Sequence, residues 1–331
     1  MKMKFHIPDF YKHWELNLNL IDMIKEHPEY FYDGVEIASC YGCFAPALWN
    51  GGRALAGYTS REQITKTIKW FNERNVPLRY TFTNPTITEK DLKEPFCNRI
   101  CKEAENGFNE VICNVPVLEQ YVRNTYPRYP LVSSTCKQIE DMDGLIAELE
   151  KDYKLVVLDY NWNNDFERLA QIPEKYREKC EILINPYCIP NCPRRGEHYK
   201  VLGEAQRDSA KMSLPSLGNR PNVNPLHKAF EFKCNNTMLN FYQITEYSTF
   251  VSRENIKKYQ ELGFCHFKIE GRVLAKENVL ESYMYYMVKP EYRDIVRLTL
   301  LTARPREPMN TPHKRLFIDE NGNPIPQNDE S

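Results

Sequence analysis

Hydrophobic residues of this chain fall into short runs of strand-forming residues, separated by segments with helical periodicity. The runs cover residues 4–7, 35–39, 78–83, 110–113, 131–135, 154–159, 181–185 and 266–270. Helical segments follow most of them, at 16–25, 60–71, 118–123, 141–150, 165–172 and 277–287. Strands that alternate with helices predict a parallel sheet, and eight such units predict a closed, TIM-like (β/α)8 barrel.

One connection departs from this rhythm. Residues 186–265, between the seventh and eighth strands, are far longer than an ordinary loop. In a barrel this insertion lies on the carboxyl-end face, where active sites occur. We therefore predict a barrel over residues 1–303 that includes the cysteine-bearing insertion 186–265. The polar, Pro-rich residues 304–331 are predicted to form a mobile tail.

Composition narrows the class of protein. The 331 residues are 42% hydrophobic, enough for one large core, and the formal net charge of −1 disfavours electrostatic binding of bulk nucleic acid. The insertion nevertheless carries more basic than acidic residues, which would suit a local groove for RNA. With no apolar run of membrane-spanning length and no signal region, we expect a cytoplasmic protein without membrane insertion. Its 11 cysteines are then reduced thiols.

The most informative cysteines are Cys188 and Cys192, which three residues separate in a proline-stiffened loop after the seventh strand. Such a loop can preorganise two thiolates for one metal centre. The predicted ligand set is Cys43, Cys188, Cys192 and Cys234, with Cys40 and Cys265 as substitutes for Cys43. The spacing of these cysteines is equally consistent with unrelated thiols in the core or in loops. Because thiolates bind both iron and zinc, the spacing does not identify the metal either. The remaining cysteines, Cys97, Cys101, Cys113, Cys136 and Cys180, are predicted to be packing residues.

Three charged residues follow predicted strands on the active face. Glu270 and Arg272 lie two positions apart at the end of the eighth strand, so both can face one cavity. The arginine could clamp a carboxylate or phosphate, and the glutamate could act as an acid or base. Asp159 ends the sixth strand and completes the candidate catalytic set. The structural alternatives are a buried Glu270–Arg272 ion pair and an Asp159 that caps a helix.

The segment 263–272, Gly-Phe-Cys-His-Phe-Lys-Ile-Glu-Gly-Arg, resembles the collagenase-like peptidase family. That resemblance implies a barrel with a 4Fe-4S cluster on four cysteines, as in the family's oxygen-independent hydroxylases of tRNA, ribosomal RNA and the ubiquinone precursor. Cys188, Cys192 and Cys234 fall near the family's ligand positions, whereas Val251 stands where a fourth cysteine is usual. Some members instead take a ligand from a loop after an early strand, an arrangement that Cys43 matches.

These features favour an iron–sulfur-dependent oxidoreductase that hydroxylates a nucleobase in RNA or a small aromatic substrate without oxygen. Its cluster would exchange electrons with, or activate, an oxygen donor near the substrate, and a homologous protein or an electron donor could be its partner. The alternatives are a zinc-containing barrel transglycosylase or hydrolase, and a non-catalytic scaffold subunit of a homologous enzyme.

Overall fold

A computed structural model describes residues 2–214, 218, 226–234, 236 and 240–303 of the chain. Eight strands form a closed barrel in the order of the sequence, and every neighbouring pair is parallel. The strands are β1 Met3–Pro8, β2 Val35–Gly42, β3 Leu78–Phe82, β4 Glu110–Cys113, β5 Leu131–Ser133, β6 Leu155–Val157, β7 Cys180–Leu183 and β8 His266–Lys268. The predicted (β/α)8 barrel is confirmed. The predicted tail, 304–331, lies outside the described residues.

Helices surround the barrel and also cover one end of it. Around the wall run α1 Trp14–Glu26, α2 Arg61–Glu73, α3 Pro95–Ala104, α4 Pro116–Thr125, α5 Met142–Leu149, α6 Phe166–Ala170 and α7 Glu174–Arg177. The insertion contains α8 Arg195–Ser213, α9 His227–Glu231, α10 Phe241–Ile244 and α11 Arg253–Glu261. After β8 come α12 Lys276–Tyr286 and α13 Arg293–Thr302. No helix in the described part of the chain has both the length and the apolar character to cross a bilayer.

Capping chemistry explains where several helices begin. The Ser60 hydroxyl accepts a hydrogen bond from the Gln63 backbone N–H, and the Gln63 side chain accepts one from the Ser60 N–H. This capping box satisfies two N–H groups that the first turn leaves without helical partners. Ile64 and Phe71 then lie fully buried on the face of α2 that packs on the barrel. The start of α2 is therefore encoded locally, as predicted.

Strand ends differ from the predictions in two directions. β2 extends to Gly42, past the predicted end at residue 39, after a register shift between Phe5 and His6 on its neighbour β1. Cys40 is consequently part of the strand. β8, by contrast, ends at Lys268, so Glu270 and Arg272 lie in the loop above it.

The insertion packs on loops at the carboxyl end of the barrel. The Gln206 side chain of α8 accepts a hydrogen bond from the Leu55 backbone N–H and donates one to the Ala47 carbonyl oxygen. Arg207, also on α8, forms an ion pair of 2.7 Å with Asp91. These contacts place α8 over the loops that follow β2 and β3.

A buried network of charges fills the lower part of the barrel interior. Arg79 of β3 donates to Glu110 of β4 at 2.6 Å and to Glu181 of β7 at 2.5 Å. Because β3 and β7 are not neighbours, the second contact crosses the barrel. All three side chains have at most 1% of their surface exposed. We call Arg79, Glu110 and Glu181 the interior ion network.

Two histidines complete this layer in their neutral form. His6 Nε2 lies 2.8 Å from His266 Nδ1, and His6 Nδ1 lies 2.7 Å from the Ser39 hydroxyl. Burial lowers the pKa of His266 to about 4, opposed by the charge of Glu181. Burial and the nearby Arg79 charge also lower the pKa of His6 well below its ordinary value. Neither imidazole is therefore protonated at neutral pH.

The interior ion network predicts that Arg79→Met destabilises the fold. Glu110 would keep Lys154 at 2.5 Å, but Glu181 would keep only Lys268 at 3.6 Å. The cost should therefore lie near the lower end of the roughly 3–5 kcal/mol that breaking a buried ion pair costs. Urea unfolding measures this change in the free energy of unfolding. Lys66→Met is the matched control, since it breaks an exposed helical ion pair with Glu62 that contributes about 0.5 kcal/mol. Equal effects of the two substitutions would contradict a structural role for the network.

The neutral histidines predict an acid-sensitive fold. The unfolded chain binds protons on both imidazoles below about pH 6.5, whereas the folded chain does so only near the lowered pKa values. The free energy of unfolding should therefore fall as the pH drops from 6.5 towards 4, with His266 alone contributing about 2 kcal/mol at pH 5 and His6 acting in the same direction. Chemical denaturation at several pH values checks this. His266→Gln should reduce the slope, and an unchanged slope would rule out a contribution from His266.

Candidate active site

A cavity of about 330 Å³ opens at the carboxyl end of the barrel, above the interior ion network. Strand residues form its floor: Tyr41, Thr81, Ile112, Leu183 and Lys268. Thr81, Ile112, Leu183 and Lys268 each lie two positions beyond a residue of the layer below, so their side chains share its inward orientation. Loop and insertion residues form the mouth, among them Arg53, Cys136, Tyr160, Tyr187, Cys188, Arg195, His198, Cys234, Glu270 and Arg272. The volume suits a small ligand.

Lys268 brings a buried amine to the cavity floor. Its Nζ lies 4.3 Å from the centre of the Tyr41 ring and 3.6 Å from a carboxylate oxygen of Glu181. Burial lowers the pKa of Lys268 to about 8, and Arg79 and Arg272 act in the same direction against Glu181. A fraction of the Lys268 amine is therefore neutral near physiological pH, whereas the amine of an exposed lysine is almost fully protonated there.

Arg272 is a buried cation with neutral partners. One guanidinium nitrogen donates to the Asn50 side-chain oxygen and the Thr81 hydroxyl, both at 2.8 Å, and another donates to the Gly51 carbonyl at 2.6 Å. No carboxylate of the described residues lies within ion-pair distance of it. Burial accordingly lowers the pKa of Arg272.

Backbone geometry on both sides of Arg272 holds this arrangement. Val273 has φ of 60°, a conformation that β-branched residues rarely adopt. Asp9 stabilises it by accepting the Val273 N–H at 3.0 Å. Opposite, a Cβ on Gly51 would lie 2.2 Å from the Thr83 backbone, so only glycine allows this approach. The chain is thus shaped to place one guanidinium at the cavity wall.

Glu270 reaches the cavity as predicted from its position, but its ion-pair partner is Arg53 rather than Arg272. Its second oxygen accepts the Tyr187 backbone N–H at 3.0 Å. Glu270 therefore joins the loop after β2 to the loop after β7. The Glu270–Arg272 ion pair considered from the sequence is not formed.

Asp159 lies below the cavity wall with 2% of its surface exposed. It accepts the Asn161 N–H at 3.0 Å, which caps a short 3-10 helix, and it forms a buried ion pair with Arg195. Arg195 in turn lies 4.5 Å from the centre of the Tyr160 ring. These contacts match the capping alternative, and they assign Asp159 the task of orienting Arg195.

Three of the four predicted thiols gather around the cavity mouth. Cys188 and Cys234 line the cavity, and Cys192 lies close enough to Cys188 to affect its titration. Burial raises the pKa of the Cys188 thiol to about 11, with Glu270 and Cys192 acting in the same direction. Phe232 anchors the segment before Cys234, because it stacks on His198 at 4.5 Å between ring centroids.

The other cysteine candidates lie elsewhere. Cys43 is buried in the hydrophobic core, close to Cys97 and Cys101 of α3, and burial raises the pKa of its thiol to about 12. Cys40 accepts a hydrogen bond from Asn17 of α1 at 3.3 Å, outside the barrel interior. Cys265 precedes β8 and so lies at the opposite end of the barrel. The structure does not bring Cys43, Cys40 or Cys265 to the cavity mouth.

The described residues include ligand types that suit a cysteine-bound metal, but their side chains are not close enough together to form a complete metal site. Thiolates from Cys188, Cys192 and Cys234 are soft ligands that suit iron–sulfur clusters and zinc. However, no three Cys, His, Asp or Glu side chains in the described part of the chain are close enough to hold one ion. The protonated Cys188 would also have to lose its proton on binding.

Several cavity residues escaped the sequence analysis. Cys136 was assigned to packing, but β5 ends at Ser133, and Ser134 caps a 3-10 turn that brings Cys136 to the cavity wall. Lys268 was counted only as a strand residue, although its two-residue spacing from Glu270 was a usable signal. Arg53 lies in an irregular loop, where periodicity carries no information.

Comparison with known proteins finds a distant relative. The chain is 25% identical over 234 residues, 69% of its length, to a protein of Methanocaldococcus jannaschii described as an uncharacterized protease. The match covers 65% of that relative, so the chain spans slightly less than two thirds of its length. No protein-family model matches the chain. The chain is therefore similar in sequence to a protein that is described as a protease but is uncharacterized.

A solved structure, described as that of a U32 peptidase, matches 83% of this chain and 94% of its own, with a TM-score of 0.46 and 12% identity.

The environment of Lys268 predicts an unusual reactivity for its amine. Reductive methylation, followed by mass spectrometry of the peptide, should show labelling that rises through about pH 8. The same peptide labelled in urea-unfolded protein is the control, and its labelling should rise about two pH units higher. Identical profiles in the folded and unfolded chains would contradict the buried placement of this amine.

Proposed function

We propose that this protein is an enzyme whose substrate binds in the barrel cavity, and that Cys188, Cys192 and Cys234 bind an iron–sulfur cluster at its mouth. One observation carries the proposal: cysteines of the insertion border a cavity whose walls contain Lys268, Glu270 and Arg272. The name of the archaeal relative supports an enzyme in general, though not an oxidoreductase.

The proposed reaction is oxygen-independent hydroxylation of a small aromatic substrate or of a nucleobase in RNA. Replacing a ring C–H by C–OH is a two-electron oxidation, so a co-substrate that donates its hydroxyl oxygen and is itself reduced by two electrons is needed. A bound cluster would relay electrons between the substrate and this oxygen donor. The residues of the chain would bind and orient the substrate. Glu270 is the candidate acid or base, because its carboxylate faces the cavity while Arg53 and the Tyr187 N–H fix its position.

Burial of the thiols bears on how the metal is acquired. The raised pKa of Cys188 means that this side chain is protonated at neutral pH before metal binds. Metal binding would therefore release protons and become tighter as the pH rises. Cys136, which also borders the cavity, is our candidate for the fourth ligand, since Cys43 is enclosed in the core.

A second candidate function is hydrolysis with a cysteine-bound zinc. The description of the archaeal relative as a protease is the observation that favours it. The same thiols suit zinc, so metal identity separates the two candidates.

Purification without oxygen and measurement of iron, sulfide and zinc per chain test the proposal. We expect about four irons and four sulfides per chain. Cys188→Ala, Cys192→Ala and Cys234→Ala should each lose most of this iron. Cys97→Ala, in the buried face of α3, is the matched control and should keep it.

Two further variants locate the fourth ligand. Cys136→Ala should lower the iron content, whereas Cys43→Ala should leave it unchanged if the protein remains folded by circular dichroism. A content of one zinc and no iron per chain would favour the hydrolase over the hydroxylase. Hydrolysis would then be tested on peptide substrates. Protein that binds neither metal, with cysteine variants that behave as wild type, would refute a metal-dependent function.

A further inference from the structure

The balance of charge in the cavity is uneven. Among the described residues, three arginines and one lysine line it, namely Arg53, Arg195, Arg272 and Lys268, against one carboxylate, Glu270. Arg53 is neutralised by Glu270, and Arg195 by Asp159 behind the wall. Arg272 has no carboxylate within ion-pair distance in the described part of the chain, and Lys268 has only Glu181, at 3.6 Å in the layer below.

Lys268 shares its nearest carboxylate with Arg79. Glu181 Oε1 lies 3.6 Å from the Lys268 Nζ, within ion-pair range but beyond hydrogen-bond distance. The other oxygen of Glu181 accepts from Arg79 at 2.5 Å. Within the described part of the chain, all the hydrogen-bond acceptors of the Arg272 guanidinium are neutral oxygens. Buried cations in this condition are costly unless an anion joins them.

Unsatisfied polar groups on the cavity wall give an independent indication of a ligand. The hydroxyls of Tyr187 and Thr135 are buried and have no hydrogen-bond partner in the described part of the chain. Both residues line the cavity. Because buried polar groups almost always have partners in folded proteins, these hydroxyls are ready to bind a polar ligand.

We propose that Lys268 and Arg272 form an anion-binding site at the cavity floor, which receives the carboxylate or phosphate group of a small acid. Tyr160 and Tyr187 border the space above and suit an aromatic or other ring-shaped body. This inference takes the cavity as the substrate site, as the proposed function does, but it does not depend on a metal.

The depth of the site favours a free small molecule over RNA. Lys268 ends β8, and Arg272, although it lies in the loop after β8, extends its guanidinium to Thr81 within β3. Both cationic groups therefore lie at the depth of the strands. A nucleobase that enters from a polymer would bring its ring to the floor and leave its phosphates at the mouth. A compact acid can place its anion at the floor.

Binding of benzoate, inorganic phosphate and phenyl phosphate tests the proposal by calorimetry at constant ionic strength. Benzamide, the neutral analogue of benzoate, is the matched ligand control. We expect either benzoate or the phosphates to bind at least tenfold more tightly than benzamide. A preference for benzoate identifies a carboxylate ligand, and a preference for phenyl phosphate identifies a phosphate monoester.

Variants connect the binding to the named residues. Lys268→Met and Arg272→Met should each weaken binding of the preferred anion at least tenfold, and Arg272→Lys should recover part of the loss. Lys66→Met, which removes a cation from the surface of α2, should bind as wild type. Lys268→Met also keeps the proposal testable if Arg272→Met fails to fold.

Two results would overturn the proposal: equal affinity for benzoate and benzamide with no phosphate binding, or unchanged anion affinity in Lys268→Met. RNA binding that is insensitive to Lys268→Met, without binding of small anions, would also overturn it in favour of a site at the mouth. Lys268→Met separates the two hypotheses, because it should lose anion binding and keep the metal. Failure of one measurement therefore leaves the other intact.

Discussion

The structure depends on the burial of Glu181 inside the barrel. Because this carboxylate is shielded from water, nearby cations have to balance its charge. Arg79 reaches it from the opposite side of the barrel at 2.5 Å and also holds Glu110. Removal of Arg79 would leave Glu181 without a hydrogen-bonded cation in a place that water does not reach. Arg79 holds one oxygen of Glu181, and Lys268 lies 3.6 Å from the other, in ion-pair range but outside hydrogen-bond distance. The interior ion network thereby influences the charge balance of Lys268 at the floor of the cavity above it.

The cavity combines a rigid floor with a mouth assembled from loops. Floor residues such as Tyr41 and Lys268 are fixed by strands whose hydrogen bonds run around the closed barrel. Residues of the mouth depend on contacts between distant segments, and Glu270 is the main connection because it contacts both Arg53 and the Tyr187 backbone. This division is typical of barrels, in which loops carry chemistry on a stable scaffold.

Sequence reasoning located the strands well and the surroundings of the candidate cysteines less completely. Alternating strand and helix patterns were sufficient for the barrel, since each pattern reflects which face of an element is buried. Position at the end of β8 also placed Glu270 and Arg272 at one cavity. The loop after β2 was harder, because β2 extends to Gly42 and Cys43 turns into the core instead of the mouth.

What the sequence alone determined is therefore the order of the elements, the carboxyl-end location of the site, and the residue types available there. These properties depend on periodicity and on parallel strand direction, which are local. Only the tertiary structure decided the pairing of charges: Glu270 with Arg53, Asp159 with Arg195, and Arg272 with neutral oxygens. Such pairings join residues that lie far apart in the chain, and they depend on angstrom-scale distances that no local pattern encodes.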